Sequence, residues 1–103
     1  MTSSGHLPAE FARACERGNY ALATALARQL RPLSVVEALA LLPLIAEHDP
    51  DRYDAAAVRW HARFVRERQG VDLARSSLAL AALEVLRGSA RAEALRVLRA
   101  LVA

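Results

Sequence analysis

"RYDAAAVRWHARFVRER", residues 52–68, decides how the chain is read. An α-helix turns about 100° per residue. On that wheel Arg52, Arg59, Arg63 and Arg66 share one narrow arc, and Tyr53, Ala57, Trp60 and Phe64 share another roughly 100° away. The segment therefore predicts a helix with an apolar aromatic face beside a cationic one. The aromatic face is expected to pack, with Tyr53, Trp60 and Phe64 as core anchors, because large rings at helical spacing bury the most surface. The arginine face has three readings: the wet back of a packed helix, a contact for an acidic protein partner, or a contact for nucleic-acid phosphates. Glu67, four residues after Arg63, partly neutralises it.

The rest of the chain extends the helical pattern. Among 103 residues, 54% are hydrophobic, 5% aromatic, and glycine and proline number four each. Most of the apolar residues are alanine and leucine, which lose little rotamer freedom in helices. The expected fold is all-α. About six helices in three antiparallel hairpins form a compact bundle at 7–103, after a disordered tail at 1–6. Pro8 is expected at the first position of the first helix, with Glu10 in its first turn and Gly18 as its left-handed stop. Asn19 caps the second helix, 20–30. Ser34 and Glu37 have capping-box spacing and open the third, which reaches about residue 48 and is expected to kink or divide at Pro43. Asp49 is expected to cap the fourth helix, with Pro50 as its first residue and Gly70 after its end near residue 69. Asp72 caps the fifth, 73–86. Ser89 opens the sixth, 90–103.

Two of these helices, the third and the fifth, are apolar on nearly every side. A helix apolar all round is buried all round, and a chain this short has room for about one. The surplus predicts self-association, with Leu41, Leu78 and Leu86 as candidate interface residues in a homodimer.

The charge is uneven. All 14 basic residues are arginine, and the net charge is +3. Alanine is raised in parallel, so the missing lysines point to codon composition rather than to phosphate recognition. The basic excess falls in residues 51–103, where an acidic partner would dock. A net charge of +3 is modest for a dedicated nucleic-acid binder.

"ERGNYALATALA" resembles the start of the second helix of a tetratricopeptide (TPR) repeat, in Gly18, Tyr20 and Ala23. "DRYDAAAVRW" repeats part of it with Tyr53 and Ala56, 33 residues later. The resemblance implies stacked helical hairpins that bind a peptide or a partner helix.

Chemistry-bearing motifs are sparse. His6, His48 and His61 lack ligand spacing, and no HExxH or CxxC is present, so no metal or cofactor is expected. Cys15 on an alanine-rich helix reads as a small core residue. Asp49, Asp51 and Asp54 suit a helix start rather than acid–base work. The beginning "MTSSGHLPAEF" has no basic or apolar leader pattern, and the run "ALALLPLIA" is too short to span a bilayer. The expectation is a cytoplasmic, non-catalytic helical interaction module, with a nucleic-acid accessory role as the alternative and no membrane partner.

Overall fold

The computed structural model describes residues 6–103, and here they form six α-helices and no strand. The helices are α1 (His6–Glu16), α2 (Tyr20–Leu30), α3 (Val35–His48), α4 (Tyr53–Glu67), α5 (Leu73–Leu86) and α6 (Arg91–Val102). A single 3-10 turn, Pro50–Arg52, leads into α4. Consecutive helices pack as the pairs α1–α2, α3–α4 and α5–α6.

The boundaries follow local chemistry. At the end of α1 the Gly18 amide donates to the Cys15 carbonyl and the Asn19 amide to that of Ala14. This is a Schellman closure, with Gly18 at φ 70°. Asn19 accepts the Leu22 amide at 3.2 Å. Ser34 and Glu37 exchange both capping-box bonds at 3.0 Å. Asp72 accepts the Arg75 amide at 2.9 Å. Each satisfies an amide that the first helical turn leaves without a partner.

Several expectations need correction. Of the expected tail, residues 1–5 lie outside the described residues, and His6 already belongs to α1. Pro8 is thus the third helical residue, not the first, which costs nothing because the first four helical amides have no internal acceptor. Glu10 moves past the first turn. Asp49 makes no side-chain cap, and Pro50 opens the 3-10 turn instead of α4. The Asp49 carboxylate pairs instead with Arg52. Helix α4 ends at Glu67, two residues short of the expected end. Ser89 does not cap α6; Ala90 holds the cap position without a side-chain bond. Helix α3 runs unbroken through Pro43, because neighbours grip it on several sides.

Those neighbours are α4, α6, α1 and α2. Helix α3 buries Val35, Leu39, Leu42, Leu44, Ile45 and Ala46. Its residues enter two apolar clusters. The larger joins α3 to α4, α5 and α6, and includes Tyr53, Trp60, Phe64, Leu83, Leu86 and Leu98. The smaller gathers Phe11, Ala14, Ala23 and Leu26 around Leu44. Tyr20 and Leu41 are half-buried and touch both. Leu41 is therefore a joint between the two cores rather than a face for a second chain. Leu86 is 0% exposed and is core, contrary to its expected place at an interface.

The three anchors of α4 are buried. Trp60 and Phe64 stack with centroids 5.3 Å apart. Trp60 Nε1 donates to the Val35 carbonyl at 2.9 Å, and the Tyr53 hydroxyl donates to the Leu83 carbonyl at 2.6 Å. Both bonds tie α4 to a neighbouring helix. Trp60 is 3% exposed, so Trp60→Ala is expected to cost about 3–5 kcal/mol. Trp60→Phe keeps most of the apolar contact and loses the bond to Val35, and should cost about 1–3 kcal/mol. Equilibrium urea unfolding measures both, and a Trp60→Phe variant as stable as the wild type would show that the hydrogen bond contributes nothing.

Candidate functional site

Helix α5 has only two close neighbours, α4 and α6. Its inward side is Ala79, Ala82, Leu83 and Leu86. The remaining apolar residues face out: Leu78 and Leu80 are each 49% exposed and Val85 46%. Val97 of α6 is 38% exposed. Leu78, Ala81, Ala82 and Val85 of α5 line one groove with Glu93, Ala94 and Val97 of α6, and Glu93 supplies its single charge. Alanines on the floor let another helix approach closely. Soluble surfaces seldom leave such a strip bare without use.

The groove has two unlike ends. Arg75 stands three residues before Leu78, on the same side of α5. Glu93 lies in the first turn of α6, which follows the last turn of α5 by a short connection. A positive side chain thus marks one end and a negative one the other. Neither is ion-paired among the described residues.

The arginine stripe of α4 is divided by its surroundings. Arg63 bonds Glu67 through Nε at 2.9 Å, and its Nη2 reaches the Leu33 carbonyl at 2.9 Å. That guanidinium holds the Glu67 carboxyl below the usual carboxylate range, and the shared hydrogen bond raises Arg63 in turn. Arg52 meets Asp49 at 3.4 Å and the Tyr20 hydroxyl at 3.2 Å. Arg66 lies 3.7 Å from Glu67 in solvent, and Arg59 is exposed without an ion pair among the described residues. Two of the four arginines thus brace neighbouring segments. Along the stripe drawn on the wheel, Arg52 and Arg63 are thus paired by neighbouring carboxylates, while Arg59 and Arg66 stand in solvent.

A Ser–His contact lies elsewhere on α4, where sequence spacing gave no sign of it. His61 Nε2 is 3.1 Å from Ser76 Oγ and 3.0 Å from the Ser76 carbonyl. The contact links α4 to α5. Cys15 is half-buried, and burial followed by the nearby Glu16 carboxylate pushes its thiol up to about 11. It stays protonated near neutrality and is a poor nucleophile. Among the described residues no group of three or more His, Cys, Asp or Glu could hold a metal ion, and no helix is long and apolar enough to cross a membrane.

Tyr20 and Tyr53 each open the second helix of their hairpin, and Ala23 and Ala56 lie buried one turn on. Comparison with known protein families, curated proteins and solved structures finds no match to this chain.

Burial pushes the Tyr53 hydroxyl up to about 12, although Arg87, with its guanidinium 5.6 Å from the ring centre, pulls the other way. The unfolded chain releases this proton near pH 10 and the Cys15 proton near pH 9. Folded protein binds more protons between those values and the raised ones. The stability contributed is complete below pH 9 and is lost as pH rises through about 11 for Cys15 and about 12 for Tyr53. Unfolding free energy should fall by up to about 1.4 kcal/mol per pH unit for each group. Denaturant titrations from pH 8 upward check this, and Tyr53→Phe should flatten the upper part of the curve; an unchanged slope would place that loss elsewhere.

Proposed function

We propose that this protein is a non-catalytic helical interaction module that self-associates through the outer face of α5 and α6. The observation that carries the reading is the apolar groove of Leu78, Ala81, Val85 and Val97, with unpaired Arg75 and Glu93 at its two ends. A two-fold axis through the middle of the groove sets the Arg75 end of one copy on the Glu93 end of the other. Surface, shape and charge are then self-complementary, as a closed dimer requires. Two α5–α6 pairs laid face to face make a four-helix bundle, a common way for helical pairs to cover an apolar side. Each half-exposed leucine or valine covered contributes about 1 kcal/mol. Other features support an interaction module rather than an enzyme: Cys15 held protonated, and the Tyr-x-x-Ala hairpins that resemble TPR units.

Nucleic acid is the weaker reading. Asp49 compensates Arg52 and Glu67 compensates Arg63, so the α4 stripe carries less net positive charge than its sequence suggests.

Light scattering after gel filtration at micromolar concentration should return twice the 11.2 kDa of one chain. Leu78→Glu with Val85→Glu should return the single-chain mass while keeping the helical circular dichroism. Arg75→Glu alone should weaken the dimer, and adding Glu93→Arg should restore it, because only then do opposite charges meet again across the axis. A wild-type protein that runs as one chain would overturn the proposal.

A further inference from the structure

A second concave surface lies away from the α5–α6 groove, where α2, the turn after it, α3 and α4 meet. It is a cleft of about 500 Å³, within the roughly 300–1,000 Å³ range of small-molecule sites. Its walls carry Arg28 and Arg31 from the end of α2 and Arg52 and Arg63 from the α4 side. Its floor is apolar, including Ala27, Leu33, Ala38 and Leu41. None of its lining residues is acidic.

The charge balance is specific. Asp49 compensates Arg52 and Glu67 compensates Arg63. Among the described residues Arg28 and Arg31 have neither an ion pair nor a side-chain hydrogen bond. The cleft is left with two uncompensated positive charges. Its braced arginines keep donors in hand, since Arg63 Nη1 and Arg52 Nε and Nη2 make no bond. Both guanidiniums are held in place by their other contacts, so little freedom is lost when a ligand arrives. Arginine at the end of a helix also answers the helix dipole, but neither Arg28 nor Arg31 bonds a carbonyl of α2 here. Thr24 also lines the cleft, and its Oγ1 is buried without a hydrogen-bond partner, alone among the buried side-chain polar atoms of the described residues.

We propose that this cleft binds a small phosphate monoester that carries an apolar group. A phosphate dianion matches the two uncompensated charges, where a carboxylate would match one. Planar guanidinium forks pair with phosphate oxygens two at a time. The leucine and alanine floor takes the apolar part, which inorganic phosphate lacks. This inference does not depend on self-association, since none of the lining residues belongs to α5 or α6.

Isothermal titration of the full chain with 1-naphthyl phosphate, 1-naphthol and inorganic phosphate tests it. The ester should bind with one site per chain and more tightly than either fragment. Arg28→Gln with Arg31→Gln should weaken it on the order of a hundredfold, as loss of two charged hydrogen-bond donors implies. Arg68→Gln with Arg96→Gln removes the same charge elsewhere and should change affinity little. Circular dichroism checks that all variants stay helical. Equal weakening by the two pairs would reduce the effect to net charge and overturn the site. So would 1-naphthol binding as well as the ester, or binding of a single-stranded oligonucleotide that the ester cannot displace.

Discussion

Helix α3 has no wet face to offer, and the molecule is arranged around that fact. Its charged and basic residues sit at its two ends, Glu37 in the first turn and Glu47 and His48 in the last. Between them most of the helix is covered by protein, with Ala38 and Leu41 left half-buried on the floor of the arginine cleft. Helix α4 covers one side and is fastened there by the Trp60 bond to the Val35 carbonyl. Helices α1 and α2 cover another, and α6 a third. The same enclosure keeps Pro43 inside a single helix. A lost backbone bond in the middle of an exposed helix would be a hinge, but here the flanking turns are held from outside.

Helix α5 has nearly the same composition and a different fate. It lies on the outside of the bundle, with α4 and α6 as its close neighbours. Its apolar surplus is therefore turned to solvent. The contrast separates two causes that composition merges: how apolar a helix is, and how many neighbours it has. The two interaction sites proposed here also divide along this line. One lies where a helix lacks neighbours, the other where three helices meet around arginines they cannot fully neutralise.

Local signals were legible in the sequence and long-range ones were not. The stop at Gly18, and the caps at Asn19, Ser34 and Asp72, each depend on residues within a few positions, and the chain uses them all, whereas α4 ends at Glu67 before Gly70 is reached. The α4 anchors were legible because one helix with two chemically distinct faces carries its own orientation. On α5 that orientation is missing. Leucines on all sides give no angle from which to tell Leu78 from Leu86, so one residue proposed for an interface lies in the core. The arginine stripe is sorted for another reason. Its members share an arc of α4, but the acceptors that sort them, Leu33, Asp49 and the Tyr20 hydroxyl, come from elsewhere in the chain. The contact of His61 with Ser76 was hidden in the same way.

The two apolar clusters are unequal in size, and Tyr20 and Leu41 bridge them against the single span of α3. Tyr20 does so with its ring stacked on His48, 5.4 Å away, and with its hydroxyl held by Arg52. The chain is thus stitched in two parts of different strength. The pair α1–α2 rests on the smaller cluster and one hydrogen bond from Arg52 to Tyr20, so it has less holding it to the bundle than α3–α6 have among themselves. Thr24, Arg28 and Arg31 ride on that looser part, whereas Arg52 and Arg63 stay with the firmer one. Anything that grips all four arginines acts as a clasp between the two, and it would lift the melting of the first hairpin toward that of the rest.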